Sequence, residues 1–236
     1  MPRIRRGALP LSAGAIIELM RLASPVLPVG GFSYSEGLEA AVEHGVVTDE
    51  AGARVWLNEQ LHLVLARSEL PVVALAFKAW RRGDVARATE LNDWVCRTRE
   101  TRELAQQSQQ MGRSLTEWMR RRDRAPSALA HAAALQPAPT WPVAFALAAA
   151  HSGAPQREAL IAFAVGWVEN QVAAAVKAVQ LGQSAGQRLL DTLNPQIGAL
   201  VDAAMALPDS ARQAFAPMLA ILSSRHEAQY SRLFRS

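Results

Sequence analysis

The strongest constraint on the fold is one long segment that is apolar on nearly all sides. It reads REALIAFAVGWVENQVAAAVKAVQLG and covers residues 157–182. The main polar residues that interrupt its apolar surface are Glu169, Asn170, Gln171 and Lys177. A helix of this composition has to be buried on most sides. The sequence therefore predicts a central helix, beginning near Pro155, around which the other helices pack.

The rest of the chain also favours helices. Half of the 236 residues are hydrophobic, only 6% are aromatic, and alanine is frequent. Such a composition, with few runs of β-branched residues, is typical of helices packed closely on one another. In addition, no run of alternating apolar and polar residues has the length of a strand. We predict an all-α protein of about ten helices in one domain over residues 12–222. Residues 1–11 are predicted to be a flexible basic N-terminus, and residues 223–236 a partner-binding tail.

Capping residues and prolines mark several helix ends. We expect a first helix over Ser12–Ala23, because the residue before Pro25 avoids the α region. Asp49 is a predicted N-cap of a longer helix. Pro71 is predicted in the first turn of the next helix, which reaches Arg82.

Two segments fit the capping-box pattern, in which Ser or Thr is followed three residues later by Glu or Gln. Ser33 with Glu36 predicts the start of a helix that stops at His44. Ser184 with Gln187 predicts the start of another helix.

Three longer stretches complete the prediction. Residues 84–122 are predicted as nearly continuous helix, with an inner stripe formed by Leu104, Ser108, Met111, Leu115 and Met119. Arg124–Trp141, which carries Pro126, Pro137 and Pro139, is predicted as a linker. A last helix is expected over Asp209–Ser224.

The charge of the chain leaves two interpretations open. The net charge is +4, and all but two of the 25 basic residues are arginine. Basic patches bind nucleic acid or acidic protein surfaces, so a small basic helical nucleic-acid-binding protein is one alternative. In residues 97–124, however, acidic residues interleave with the arginines, as on an ordinary solvated helix face.

The sequence offers no set of residues for catalysis or metal binding. Cys96 is the only cysteine, which rules out an internal disulfide or a thiolate cluster and fits a reducing compartment. The glycines lack the P-loop pattern, and HEAQY (His226–Tyr230) has Tyr where a zinc-protease helix needs its second His. We predict no catalytic residue, no cofactor and no metal site, and we expect His62 and His151 to be core residues. Charge or proline interrupts the longest apolar stretches, so no membrane span is predicted.

Two segments near the ends of the chain are unusually apolar. The opening loop, SPVLPVGGFSYSEGLE (residues 24–39), has prolines that limit its freedom and adjacent glycines that permit a tight path. Its frame is predicted to present Phe32 and Tyr34. The tail, SSRHEAQYSRLFRS (residues 223–236), carries apolar residues between arginines.

The energies leave the position of the tail undecided. Burying its three large apolar side chains contributes about 1.5–3 kcal/mol each, while ordering roughly ten residues costs about 1–2 kcal/mol apiece. The sequence therefore allows either a tail folded back on the core or one that is ordered by a partner.

Four dispersed stretches, in order, carry a resemblance to a known family. They are LASPVLPVGGFSYSEGLE (22–39), RETRELAQQSQQMGRSL (99–115), VKAVQLGQSAGQRLL (176–190) and RHEAQYSRLFRS (225–236). In these the chain resembles the urease accessory protein family UreF. The resemblance implies an all-helical, non-enzymatic cytoplasmic scaffold that binds UreD (UreH in some species). It also implies recruitment of the GTPase UreG, delivery of nickel to the urease apoprotein, and a homodimer within the complex.

The resemblance suggests two sets of site residues. The UreD-facing surface is predicted from the opening loop and the tail, with the residues Pro25, Pro28, Phe32, Tyr34, Arg225, His226, Glu227, Tyr230, Arg232, Leu233, Phe234 and Arg235. The residues predicted for UreG recruitment are Lys177, Gln183 and Gln187. The simpler alternatives are a loop tucked against its own core and a lysine that extends from a buried helix to solvent. A role in timing GTP hydrolysis by UreG, and direct transport of nickel, are left open.

Overall fold

The chain is built from helices throughout residues 11–122 and 126–236, the ranges that this computed structural model describes, and these ranges contain no strand. The helices are α1 Ala13–Ala23, α2 Leu38–Glu43, α3 Glu50–Gln60, α4 Leu70–Arg82, α5 Val85–Thr98, α6 Arg102–Arg121, α7 Pro126–Ala133, α8 Trp141–Ala150, α9 Gln156–Ala178, α10 Gln183–Leu193, α11 Ile197–Ala206 and α12 Pro217–Glu227. A π-helical segment, Leu61–Glu69, and three short 3₁₀ turns complete the secondary structure. The predicted all-α class is confirmed. The predicted basic segment 1–11 lies, apart from Leu11, outside the described residues.

Helix α9 occupies the centre of the fold, as its composition predicts. It packs against α1, α2, α3, α4, α8, α10 and α11. Helix α8 is buried even more completely, since every residue from Pro142 to Ala150 is buried. Helices α4 and α6 cover α8.

The close approach of α6 to the segment before α8 depends on Gly112. A Cβ atom at this position would lie 2.0 Å from the carbonyl oxygen of Pro139, far inside van der Waals contact. The contact between α6 and Pro139 therefore requires a residue without a side chain at position 112.

The inner stripe predicted for α6, from Leu104 to Met119, is buried.

Helices α3 and α4 and the π-helical segment between them form one continuous helix, Glu50–Arg82. Pro71 lies in the first turn of α4, as predicted, but within this longer helix. Proline has no backbone N–H, so the carbonyl of Arg67 lacks its usual helical donor. That carbonyl instead accepts a hydrogen bond from the Gln213 N–H at 3.1 Å. The irregular turn thus attaches a distant segment of the chain.

Some predicted N-caps are confirmed, and both predicted capping boxes are wrong. Ser12 and Asp49 accept hydrogen bonds as N-caps of α1 and α3. The capping box of Ser33 and Glu36 does not form, because α2 begins at Leu38 after Gly37 and Glu36 is directed inward.

The second predicted capping box is also absent. Helix α10 begins after Gly182, which has no side chain to cap it, and Ser184 and Gln187 lie inside the helix.

The predicted linker Arg124–Trp141 is partly wrong. Its residues 124 and 125 lie outside the described ranges, but α7 follows directly, and Leu129, Ala132 and Leu135 are buried. Helix α7 packs on α6. The apolar residues between the prolines therefore add to the core rather than span open solvent.

The last predicted helix starts later than expected. Residues 212–216 do not form helix, and α12 begins only at Pro217. The hydrogen bond between Gln213 and Arg67 holds this segment away from helical geometry. Helix α12 then continues to Glu227 and so passes through residue 223, where the sequence suggests the start of the tail.

Among the described residues, two helices are long and apolar enough to cross a membrane by length and composition alone, Glu50–Arg82 and Gln156–Ala178. The sequence analysis predicts the second of these as the buried central helix, whereas it treats the first as two separate helices that begin after Asp49 and at Pro71. Most of the apolar window of the first helix and half of that of the second are buried inside the protein. Packing in the core accounts for their composition.

Candidate partner-binding surface

The opening loop and the C-terminal tail lie side by side and are joined by hydrogen bonds. The Arg235 N–H donates to the Ser33 carbonyl at 2.8 Å. The main-chain oxygen of Ser236 accepts from the Ser35 N–H at 2.9 Å and from the Ser35 hydroxyl at 2.6 Å. Segments about 200 residues apart in sequence therefore form one continuous surface.

A buried carboxylate in the first turn of α2 anchors the tail. The two oxygens of Glu39 accept the backbone N–H groups of Leu233 at 2.6 Å and of Phe234 at 2.8 Å. Hydrogen bonds to an ionised acceptor are stronger than neutral ones. The tail backbone is thus held by a charged side chain as well as by the loop.

His226, which is fully buried, extends this anchor to α6. Its Nε2 lies 3.2 Å from Glu39 Oε2, and its Nδ1 lies 2.6 Å from Glu103 Oε2. When both ring nitrogens carry hydrogen, each can donate to one carboxylate. Glu103 also pairs with Arg232 of the tail. The cluster therefore links α2, α6, α12 and the tail.

A second carboxylate, that of the partly buried Glu36, lies behind the loop. Its oxygens accept from Trp167 Nε1 at 2.9 Å and from Gln107 Nε2 at 2.7 Å. Its backbone has a φ of +52°, in the left-handed region that non-glycine residues rarely adopt. Burial, the largest influence, raises the pKa of Glu36, and the hydrogen bond from Trp167 partly offsets that effect. Glu36 is therefore held in a costly position by specific partners.

A cavity of about 180 Å³ lies beneath the loop, and Glu36 is among its lining residues. The side on which the Glu36 carboxylate bonds to Trp167 and Gln107 is its base. Its walls are mostly apolar and include Trp141, Phe163 and Trp167, while Phe32 and Pro25 lie at its mouth. A smaller cavity of about 30 Å³ adjoins Glu36, and its lining includes the ion pair of Glu69 with Arg99. The loop therefore covers a hollow with a polar base rather than solid core.

The surface of the loop and tail exposes large apolar side chains. Val26 is 85% exposed, Phe32 is 68% exposed, Leu233 is 57% exposed, and Tyr230 is fully exposed. Pro25 and Pro28, which lie on either side of Val26 in sequence, are also exposed. Exposed apolar patches with polar surroundings mark interaction sites. This arrangement fits a surface that another polypeptide covers.

A comparison with known families decides which class of protein this is. The model of the UreF family matches residues 47–194, more than half of the chain. The chain belongs to the UreF family. The alternative of a small nucleic-acid-binding protein finds no support in this comparison.

Similar proteins extend the match beyond that range. This UreF-family chain is 61% identical over 237 residues to a urease accessory protein UreF from Methylibium petroleiphilum, covering all of both chains. It is 59% identical over 226 residues to a urease accessory protein UreF from Polaromonas sp., covering 96% of this chain and 97% of the relative. A bifunctional urease accessory protein UreEF from Bordetella bronchiseptica is 48% identical over 230 residues, which are 96% of this chain and 53% of the relative.

The structure divides the residues predicted for the UreD-facing surface into two groups. Tyr34, His226 and Phe234 are buried, so the prediction that the loop presents Tyr34 differs from the structure. These three side chains support the surface from behind. The exposed members are Pro25, Pro28, Phe32, Arg225, Glu227, Tyr230, Arg232, Leu233 and Arg235.

The residues predicted for UreG recruitment are all exposed. Lys177, near the end of α9, places its ammonium group 4.9 Å from the ring centroid of Phe234. Gln183 and Gln187 lie on the exposed side of α10. Lys177 is therefore adjacent to the tail of this UreF-family chain, a contact that its sequence position does not reveal.

The sequence gives little sign of the residues that hold the surface together. Glu36, Glu39 and Glu103 are separated from the partners of their carboxylates by 71 to 195 positions. The one available signal is Gln107, a polar residue on the buried side of α6. A buried amide usually has partners to satisfy, so its place on this face indicates a polar contact.

The predictions for histidine need correction. His62 and His151 are exposed and are not core residues; His62 bonds to Gln196 and His151 to the Leu147 carbonyl. Among the described residues, no group of three or more His, Cys, Asp or Glu side chains is arranged to hold a metal ion.

Proposed function

We propose that this chain is a non-enzymatic scaffold in the maturation of urease. It binds UreD through the surface of the opening loop and tail, recruits the GTPase UreG, and so supports nickel insertion into the urease apoprotein in the cytoplasm. It acts as a homodimer within that complex. The observation that carries this proposal is that the loop and the tail, which are hydrogen-bonded to each other, expose Val26, Phe32, Tyr230 and Leu233 in a chain of the UreF family.

The tail is already held in one conformation in this chain, which favours binding of a partner. The tail is already fixed by Glu39 and by the loop, so a partner does not have to order it. Preorganisation of this kind raises affinity because less conformational entropy is lost on association. Large aromatic side chains are also the residues that dominate protein interfaces.

Lys177 supports the recruitment of UreG at an adjoining surface. Its ammonium lies against Phe234, so UreG at this point would contact a residue that the tail positions. Binding of UreD to the tail and of UreG near Lys177 would then be linked. A role in the timing of GTP hydrolysis would use this link.

The variant Lys177→Ala tests the recruitment of UreG at this position. We expect reduced co-purification of UreG while UreD binding remains. Unchanged recruitment of UreG would contradict the assignment.

The pairing of charged side chains within the chain also fits a function that is carried out by protein–protein contacts. The carboxylates of the partly buried Glu36 and the buried Glu39 have protein donors as partners. Several arginines on the solvated faces have acidic partners; hydrogen bonds from Arg120 and then Arg121 lower the pKa of Glu117 to about 2. Such pairing favours a structural role for these charges.

The test is co-expression of urease with UreD and UreG, with and without this chain. The readout is active urease per nickel bound, and we expect it to fall sharply without the chain.

The variant Phe32→Ala/Tyr230→Ala tests the surface itself. It should lose UreD in pull-down and lose active urease. Phe215→Ala/Met218→Ala is the matched control, since both side chains are exposed elsewhere. Undiminished UreD binding by the folded first variant would overturn the proposed surface.

A further inference from the structure

We propose that the cavity beneath the opening loop receives a basic side chain, arginine or lysine, from the partner polypeptide that covers the loop. The cavity measures about 180 Å³. A protein cavity of about 150 Å³ is sufficient to bind benzene, so this one has room for the apolar stem and charged end of one long side chain. The inference rests on the proposed function only in naming the partner as UreD.

The charges that line the cavity are of one sign. Glu36 lies at its base and Glu169 is exposed among its lining residues. The described residues that line the cavity include no lysine, arginine or histidine. Behind the base, in the smaller cavity, Glu69 already forms an ion pair with Arg99. Of these three charged side chains, Glu36 is therefore the carboxylate without an ion-pair partner of its own. A cation that entered the larger cavity would supply that partner.

Glu36 keeps capacity for a further donor. Each of its oxygens accepts one protein hydrogen bond, and a carboxylate offers about two acceptor sites per oxygen. Burial raises its pKa because the charged form lacks water. A guanidinium or ammonium group would stabilise that charged form.

The walls suit the rest of such a side chain. Trp141, Phe163 and Trp167 line the cavity, and aromatic faces attract cations when these lie within about 6 Å. The methylene stems of arginine and lysine pack on apolar surface. A small metal ion would gain nothing from these walls, whereas a basic side chain uses both the walls and the base.

The position of the mouth points to a polypeptide rather than a free molecule. The cavity opens beside Phe32 and Pro25, on the same loop as the exposed Val26. A partner that buries these side chains places its own residues at the entrance. A basic residue that enters there would be fully desolvated and paired, which is the usual setting of an interface hot spot.

The first test uses 1-butylguanidinium as a probe of the cavity and butylurea as its uncharged equivalent. Titration of the full chain, followed by NMR, should give at least tenfold tighter binding of the guanidinium. Glu36→Gln should bring the two affinities close together. Equal affinities for the two probes in the unsubstituted chain would overturn the inference.

A second variant is needed because Glu36→Gln places an amide beside two hydrogen-bond donors and could perturb folding. Ala173→Trp places a large side chain at an exposed position in the cavity lining, and Ala203→Trp puts the same residue at an exposed site on α11. The first should abolish probe binding and the second should leave it unchanged. Equal effects of the two variants would contradict binding in this cavity.

The third measurement adds UreD to the chain loaded with 1-butylguanidinium. Release of the probe as UreD binds supports entry of a partner side chain. If UreD binds and the probe stays, this inference fails while the proposed function stands. If UreD does not bind, the proposed function fails, and the assignment of the occupant to UreD fails with it.

Discussion

The hydroxyl of Ser236 donates a hydrogen bond to the side-chain oxygen of Gln107 at 2.6 Å. The nitrogen of the same amide donates to Glu36 at 2.7 Å. One side chain on α6 therefore connects the end of the tail with the base of the cavity. Because Ser35, the neighbour of Glu36, also bonds to Ser236, tail and cavity are joined along two short routes.

Gln107→Leu should loosen the tail. The substitution keeps a buried side chain of similar size but leaves the Ser236 hydroxyl and one Glu36 oxygen without this partner. We expect a loss of about 1–3 kcal/mol in the free energy of unfolding and roughly tenfold faster hydrogen exchange at Phe234 and Arg235. Gln110→Ala, an exposed position on the same helix, is the control. Unchanged protection of the tail amides in Gln107→Leu would contradict the coupling.

Glu39→Ala should release the tail more fully than any exposed substitution nearby. Glu39 accepts two backbone N–H groups of the tail and faces His226, so its loss removes several charge-assisted bonds. Limited trypsin digestion should then cut faster after Arg232. Glu43→Ala removes an exposed carboxylate from the same helix and should digest like the unsubstituted chain. Equal digestion of both variants would show that Glu39 does not anchor the tail.

Much of the fold is predictable because it depends on local spacing. The stripe of α6, the N-caps Ser12 and Asp49 and the central position of α9 all follow from residues close together in sequence. The two capping boxes fail because their pattern is short and other contacts override it. Glu36, for example, bonds to Trp167, 131 positions away, instead of capping α2.

The candidate surface is less predictable for a physical reason. Its apolar residues are visible in the sequence, but the energies of burial and ordering nearly cancel. The position of the tail is decided by Glu39 and by the Ser35 contacts with Ser236, which join residues far apart in the chain. Periodicity cannot reveal such bonds, so the sequence alone leaves Phe234 open between core and surface.

Gly112→Ala tests the close contact between α6 and the segment before α8. The new Cβ would lie 2.0 Å from the Pro139 oxygen and 2.8 Å from the Pro139 carbonyl carbon, so the backbone has to shift. Overpacking of this kind costs about 1–3 kcal/mol or more, measured as a fall in the free energy of unfolding. Gly14→Ala in α1 has no atom within 4 Å of its new Cβ and should be neutral or slightly stabilising. A neutral Gly112→Ala would contradict this packing.

Glu36 should give the stability of the protein a distinct dependence on pH. Its pKa is raised in the folded state, first of all by burial, so the folded chain binds this proton more tightly than the unfolded chain does. The stabilisation of the folded state that comes from protonated Glu36 is therefore complete below the ordinary pKa of 4.5. It is lost as the pH rises through the higher pKa of the folded state. Denaturant unfolding of the unsubstituted chain and of Glu36→Gln, compared from pH 4 to pH 8, measures it. The free energy of the unsubstituted chain should fall relative to that of the variant as the pH rises, whereas Glu59→Gln, at an exposed position, should show no such trend. A constant difference between the unsubstituted chain and Glu36→Gln over this range would mean that Glu36 does not carry a raised pKa.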